Sequence, residues 1–271
     1  MSEDDKEGVA GPLEDAAVEA DSEEAAAVET APERVERRRA ARRLLRAEVF
    51  YGAGLAAFAV LALLARANAY FGWDLRAARA VQSVDAPGVL DLMYASSFFG
   101  NGWTPWILTG VTIGVFLLFR RRSEAAGILL SAGGAALLNS VLKDLIARPR
   151  PTEELVQVLA VTRNLSFPSG HVTFYVAYFG FLSFVAYAIL PRGSLARRAA
   201  LALCALQIVL VGLSRVYLGA HWPSDTLGAY LSSGLWLGFS VHMYGRWKRR
   251  ATFKRLDAEQ QPDADAARAG D

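Results

Sequence analysis

Six apolar stretches, each close to the length of a bilayer-spanning helix, constrain this chain more than any other feature of its sequence. A helix needs roughly 20 predominantly apolar residues to cross the hydrocarbon core of a bilayer. The 197 positions from 49 to 245 hold only 14 Lys/Arg and 8 Asp/Glu residues, too few to cover a water-soluble domain. The sequence therefore predicts an all-α bundle of six transmembrane helices, at residues 49–70, 103–119, 125–142, 172–190, 195–213 and 226–244.

The two ends of the chain differ from this central region in composition. Residues 1–32 contain 11 Asp/Glu and a single Lys, with few large apolar side chains, so we expect a disordered acidic N-terminal tail. Residues 33–48 are rich in arginine and predict a helical juxtamembrane collar attracted to anionic headgroups. The predicted organisation is therefore a tail and collar at 1–48, a membrane domain at 49–245, and a basic, then polar, cytoplasmic tail at 246–271.

The distribution of Lys and Arg between the loops predicts the orientation. The collar, the turns at 120–122 and 192–198, and the tail from 246 are all basic, and six spans place all four on one side. Basic loops of membrane proteins face the cytoplasm. We therefore expect a multi-pass protein of a bacterial cytoplasmic membrane with both termini inside, and with residues 71–102, 143–171 and 214–225 outside.

Several classes of protein are excluded by composition. No folded polar face concentrates Lys and Arg, which argues against nucleic-acid binding. The single cysteine, Cys204, permits neither an intrachain disulfide nor a structural zinc cluster. The oligomeric state is left open by the sequence.

One outer segment carries cations where the topology disfavours them. Lys143, Arg148, Arg150 and Arg163 lie in the segment 143–171, on the side opposite the basic loops. Ionisable residues kept at the membrane against the general tendency usually serve a function. The simplest explanation for four cations in this segment is that they bind an anion.

Three short motifs meet on this outer face. Motif 1 is Lys143-Asp-Leu-Ile-Ala-Arg-Pro-Arg-Pro, motif 2 is Pro168-Ser-Gly-His, and motif 3 runs from Ser214 to Asp225. Lys143, Arg150 and Arg215 are suited to neutralising a phosphate, the arginines through forked hydrogen bonds. Ser169 and Gly170 precede a predicted helix, whose free backbone N–H groups form an anion-binding site.

Two histidines complete the predicted site. His171 and His221 allow one imidazole to attack phosphorus while the other protonates the leaving oxygen. Asp225 follows His221 by four residues and falls in the first turn of the sixth span, where it is able to hold the His221 ring N–H. Singly, each feature has a structural alternative, such as a helix-capping His171 or an ion pair between Arg215 and Asp225. Their convergence on one side favours a functional site.

The pattern Lys-x6-Arg-Pro, Pro-Ser-Gly-His and Ser-Arg-x5-His-x3-Asp resembles the type-2 phosphatidic acid phosphatase superfamily of membrane lipid phosphatases. The resemblance implies that His221 is a nucleophile forming a phosphohistidine, oriented by Asp225, and that His171 is the acid. It implies no divalent metal and no cofactor. Arg148 is expected to be only a secondary contact, because its spacing from Lys143 is two residues short. The resemblance implies a phosphate-binding set of Lys143, Arg150, Ser169, Gly170 and Arg215.

The predicted function is hydrolysis of a lipid-linked phosphate or pyrophosphate at the outer face of the membrane. An isoprenoid pyrophosphate is slightly favoured over phosphatidic acid or phosphatidylglycerol phosphate, because Arg148 and Arg163 add positive charge beyond the phosphate-binding set. Two alternatives stay open: a phosphotransferase that passes the phosphoryl group to another lipid, and a non-enzymatic headgroup binder or flippase-like protein. Binding alone needs only the cations, so the two histidines and Asp225 favour an enzyme.

Overall fold

The computed structural model describes residues 31–162 and 165–260. Within these residues every regular element is a helix, which confirms the predicted all-α class. Residues 1–30 of the predicted disordered tail and the last residues of the C-terminal tail, 261–271, lie outside the described residues, as do Arg163 and Asn164. Residues 31 and 32 of that tail belong to the first helix. The nine α-helices of the described residues are α1 (Ala31–Ala67), α2 (Gly72–Gln82), α3 (Val89–Ser97), α4 (Thr104–Leu118), α5 (Arg122–Ile128), α6 (Gly134–Ile146), α7 (Gly170–Ile189), α8 (Leu195–Tyr217) and α9 (Pro223–Gln260).

Among the described residues, four helical segments combine the length and the apolar composition of a membrane span. They are Glu48–Ala67, Arg122–Ile146, Gly170–Ile189 and Leu195–Tyr217. The second of them comprises α5 and α6, joined by a π-helical turn at Leu129–Gly133. Helix α4, with 15 residues, is apolar but shorter, and α9 starts with the sixth predicted apolar stretch.

Two spans are longer than their apolar stretches predict, and this matters for the site. The third predicted span ends at residue 142, but α6 continues to Ile146 and carries Lys143 in its last turn. The fifth ends at residue 213 in the prediction, whereas α8 continues to Tyr217 and includes Ser214 and Arg215. Helical hydrogen bonding continues past the apolar run in both cases. Lys143 of motif 1 and Arg215 of motif 3 are thus fixed on helices, whereas Arg148 and Arg150 follow the end of α6.

The chain divides into two units, Met1–Gly52 and Ala53–Asp271, and all the motif residues belong to the second. Helix α7 forms the centre of that unit. In the most apolar part of α7, 56% of the residues are buried within the protein, against 6% for the span at Glu48–Ala67. Its side chains Val172, Tyr175 and Phe181 are fully buried in the largest apolar cluster. Motif 2, at the start of α7, is therefore anchored in the best-packed part of the fold.

Helix α2 lies in the segment 71–102, which is predicted to face the outside. Phe71 precedes the helix, and its backbone N–H donates to Asp74 Oδ2 at 3.1 Å, which caps the first turn. Asp74 and Ala78 are buried, whereas Trp73 is exposed. The inward face of α2 thus brings a carboxylate toward the start of α9.

Candidate active site

The loop between α8 and α9 holds His221 in a fixed position. Gly219 has φ +65°, and a Cβ there would lie 1.9 Å from the carbonyl oxygen of Gln157, so the close approach of the two segments requires glycine. The backbone N–H groups of Leu159 and Ala160 donate to the Leu218 carbonyl at 3.0 and 3.1 Å. His221 is buried, with 2% of its surface exposed.

The hydrogen bonds of His221 define its tautomer. Its Nε2 lies 3.1 Å from Arg150 Nη1. A guanidinium only donates, so Nε2 accepts and the ring proton is on Nδ1. Burial, together with the charges of Arg150, Lys143 and Arg215, lowers the pKa of His221 well below its ordinary value. The ring is therefore neutral, and the lone pair of Nε2 points toward the cations.

Asp225 lies behind His221, in the first turn of α9 as predicted. Its Oδ2 is 3.6 Å from His221 Nδ1, longer than a hydrogen bond. The same oxygen accepts from the backbone N–H of Trp222 at 2.9 Å and from the hydroxyl of Ser166. Ser166 Oγ is itself 3.5 Å from His221 Nδ1. The carboxylate thus faces the protonated side of the imidazole, but the direct hydrogen bond that the sequence predicts is not formed.

Arg148 is not a secondary phosphate contact, and that prediction is wrong. Its side chain is fully buried, and Nη1 donates to Asp225 Oδ1 at 2.7 Å while Nη2 donates to Asp74 Oδ2 at 2.9 Å. Its side chain therefore points inward, toward two carboxylates on other helices. The ion-pair partner of Asp225 is accordingly Arg148, not Arg215 as in the structural alternative.

The three cations of the predicted phosphate-binding set all lie near His221. Lys143 Nζ and Arg150 Nη2 both donate to the carbonyl of Leu165, and Arg150 Nη1 donates to the carbonyl of Ala220 at 2.6 Å. Arg215, also buried, donates from Nη1 to Ser97 Oγ at 3.1 Å. Its Nε is buried and has no hydrogen-bond partner among the described residues.

Motif 2 lies against motif 3 at the start of α7. The backbone N–H of Ser169 donates to the carbonyl of Asp225 at 3.2 Å, and Ser169 is the N-cap of the helix. The Ser169 hydroxyl is buried and has no partner among the described residues, so it does not cap the helix. A Cβ at Gly170 would meet only Asn139 Oδ1, at 3.4 Å, so close packing does not explain this glycine. His171 Nε2 lies 2.8 Å from Asn101 Oδ1.

Comparison with known proteins decides the family. The model of the PAP2 superfamily matches residues 124–249. The chain is 32% identical to phosphatidylglycerophosphatase B of Bacillus subtilis (strain 168) over 177 residues, covering 60% of this chain and 83% of that protein. It is 33% identical to decaprenylphosphoryl-5-phosphoribose phosphatase of Mycobacterium tuberculosis (strain CDC 1551 / Oshkosh) over 178 residues, covering 64% and 90%. This chain belongs to the PAP2 superfamily.

The fold agrees with a solved PAP2 structure. A crystal structure of a transmembrane PAP2 phosphatidylglycerolphosphate phosphatase from Bacillus subtilis superposes with a TM-score of 0.63 at 27% identity, covering 72% of this chain and 96% of the other. The resemblance predicted from the three motifs is thereby confirmed. The chain is an integral membrane phosphatase.

Four polar residues near the PAP2 motifs were missed by sequence reasoning: Asp74, Ser97, Asn101 and Ser166. They contact Arg148, Arg215, His171 and Asp225, respectively. None of the four stands at a spacing that distinguishes it from a solvated polar residue. The glycine before Asn101 is a weak signal, because a Cβ at Gly100 would lie 2.2 Å from His171 Cδ2.

An open cleft of about 640 Å³ lies beside the cations and is lined by Ser140, Lys143, Asp144 and Arg150, among others. Within the described residues, no group of three or more His, Cys, Asp or Glu side chains is arranged to hold a metal ion. The positive charge around His221 comes from Lys143, Arg150 and Arg215.

Proposed function

We propose that this PAP2 protein hydrolyses a lipid-linked phosphate through a phosphohistidine on His221, at the outer face of the membrane. The observation that carries the proposal is the orientation of His221. Its Nε2 lone pair is directed at Arg150, and its Nδ1 side faces Asp225. A neutral, buried imidazole whose Nε2 lone pair faces a cluster of cations is arranged to attack an anionic phosphate.

The reaction then proceeds in two displacements. His221 Nε2 forms a bond to phosphorus as the bond to the lipid oxygen breaks, and His171 gives that oxygen a proton. Lys143, Arg150 and Arg215 stabilise the charge on the phosphoryl oxygens, together with Ser169 and the start of α7. In the second step water attacks phosphorus, His171 takes a proton from it, and the bond to Nε2 breaks to release inorganic phosphate. Asp225 stabilises the positive imidazole ring between the two steps.

The proposal includes a six-span membrane domain at 49–245 with both termini in the cytoplasm of a bacterium. Six crossings are compatible with four helices that have the length of a span, the shorter α4 and the apolar first part of α9. The basic turns at 120–122 and 192–198 then face the cytoplasm. The acidic N-terminal tail and the basic C-terminal tail flank this domain.

We favour a lipid phosphomonoester as the substrate class. The preference for an isoprenoid pyrophosphate depended on additional charge from Arg148 and Arg163. Arg148 is committed to Asp74 and Asp225, so its charge no longer supports that preference. Arg163 lies outside the described residues. The relatives named above act, by name, on phosphatidylglycerophosphate and on decaprenylphosphoryl-5-phosphoribose, which supports a phosphorylated group carried by a lipid.

Phosphate release from a panel of lipids in matched micelles tests this proposal. We expect release from a phosphatidylglycerophosphate or a prenyl-linked sugar phosphate at least about tenfold faster than from a prenyl pyrophosphate, about 1.4 kcal/mol in barrier. Turnover is expected to survive EDTA, because the phosphate charge is met by side chains. A phosphorylated lipid product in place of free phosphate would identify a phosphotransferase. Tight lipid binding without turnover would identify a headgroup binder.

Cysteine labelling tests the orientation. In a Cys204→Ser background, we expect Val161→Cys to react with an impermeant maleimide in intact cells, because Val161 is exposed in an outer segment. Arg192→Cys is the matched control, exposed in a turn predicted to face the cytoplasm. It is expected to react only after lysis. The opposite pattern would reverse the topology.

A further inference from the structure

Arg148 and Asp74 form a buried connection between helix α2 and the carboxylate behind His221. The guanidinium of Arg148 lies between two carboxylates, with Nη2 at 2.9 Å from Asp74 Oδ2 and Nη1 at 2.7 Å from Asp225 Oδ1. All three side chains are fully buried. Nη1 also donates to Ser224 Oγ at 2.6 Å. A chain of direct polar contacts thus runs from α2 to Asp225.

Asp74 is the fixed end of this chain. Its Oδ1 accepts from the backbone N–H of Ser224 at 2.8 Å, and its Oδ2 accepts from the Ser224 hydroxyl at 2.7 Å. Oδ2 also accepts from the backbone N–H of Phe71 at 3.1 Å, in addition to Arg148. The carboxylate therefore joins the first turn of α2 to the first turn of α9, one residue before Asp225.

Stability of the fold alone does not explain such an arrangement. Burying three charged groups has a large desolvation cost, and apolar residues of similar volume often stabilise a fold as well or better. Asp225 also has a second set of partners, Ser166 and the backbone of Trp222, on its other oxygen. Arg148 occupies Oδ1, which leaves Oδ2 as the oxygen that faces His221. This division of the two oxygens points to a role in orienting the carboxylate.

We propose that Asp74 and Arg148 are positioning residues of this phosphatase, which hold Asp225 with one oxygen toward His221 and set the charge that the imidazole experiences. The inference rests on the proposed function, in which His221 is the nucleophile. In the wild-type protein the guanidinium of Arg148 is shared between two carboxylates. Without the Asp74 carboxylate, the whole charge of Arg148 acts on Asp225, and less negative potential remains to stabilise the positive ring of phosphorylated His221.

The test is Asp74→Asn, which keeps the size of the side chain and removes its charge. We expect kcat to fall by about 10- to 100-fold, as for other residues that orient a reacting group from behind, with KM changed less than about twofold. We expect the acidic limb of kcat/KM to move to lower pH, because losing a negative charge makes protonation of His221 less favourable. The charged or titratable groups around His221 are Lys143 on α6, His171 on α7, Arg215 on α8, Asp225 on α9, Asp74 on α2, and Arg148 and Arg150 in motif 1.

Asp91→Asn is the matched control, because it removes the same charge from an exposed position of α3. It is expected to leave both kcat and the pH profile unchanged. A merely structural Asp74 would lower the temperature of unfolding without moving the acidic limb. Wild-type kcat and an unmoved limb in Asp74→Asn would overturn the inference.

A second variant shows whether Asp74 acts through Arg148. We expect Arg148→Gln to lower kcat, and Asp74→Asn added to it to lower kcat no further, since the path to Asp225 is already broken. Multiplied losses in the double variant would contradict this path. Where Arg148→Gln fails to fold, the Asp74→Asn result decides alone. Failure of the proposed function has a different signature, namely no phosphate release by the wild-type protein.

Discussion

We expect His221→Ala to lower kcat by at least about 10⁴-fold and to abolish covalent phosphorylation of the protein. The Nε2 of His221 lies 3.1 Å from Arg150, and Lys143 and Arg215 add positive charge around it. This imidazole accepts a hydrogen bond from one of the cations, Arg150. Removing it therefore leaves the predicted phosphate-binding groups but takes away the atom that we propose bonds to phosphorus.

Acid quenching after mixing with a ³²P-labelled lipid phosphate measures the phosphorylated protein directly. His242→Ala is the matched control, since His242 is exposed near the far end of the apolar part of α9 and is expected to keep full labelling. Wild-type levels of label in His221→Ala would show that the nucleophile has been assigned wrongly. Binding of lipid phosphate is expected to persist, because the cations are unchanged.

The parts of the site that the sequence predicted are those whose residues are close together in the chain. His221 and Asp225 are one helical turn apart, and motif 2 is four consecutive residues. In such cases the local backbone fixes the relation between the side chains. The basic loops supplied the remaining information, because a common side of the membrane brings distant motifs to the same depth.

The residues that sequence reasoning missed depend on contacts between distant segments. Asp74 is 150 residues from Ser224 in the chain, and Asn101 is 70 residues from His171. Nothing in the local pattern around either residue distinguishes a buried partner from a solvated side chain. The misassigned Arg148 has the same origin, since its inward orientation follows from two carboxylates on other helices.

The sequence predicted the apolar stretches better than it predicted where the helices that contain them end. Hydropathy marks where a segment becomes polar, but a helix ends only where its backbone hydrogen bonds end. Lys143 and Arg215 show the difference, because both are polar residues in the last turn of an apolar helix. Their placement on helices holds both cations at fixed positions near His221.

His171→Ala is expected to have an effect that depends on the leaving group. For a lipid phosphate, whose leaving alkoxide is strongly basic, loss of the acid is expected to lower kcat by about 10²- to 10⁴-fold. For an aryl phosphate, whose leaving group needs no proton, we expect less than about a tenfold loss in the rate of phosphorylation of His221. A nucleophile variant such as His221→Ala loses both reactions equally, so the ratio of the two rates separates the roles of the histidines.

The contact between His171 and Asn101 gives this prediction a graded control. Asn101 Oδ1 lies 2.8 Å from His171 Nε2, so Asn101→Ala removes a hydrogen bond that orients the ring while the imidazole itself stays in place. We expect a smaller loss, about tenfold on the lipid phosphate, with the same dependence on the leaving group. Equal losses on lipid and aryl phosphates in His171→Ala would mean that this histidine binds the phosphoryl group instead of protonating the leaving oxygen. In that case the acid would have to be sought among the other groups at the start of α7.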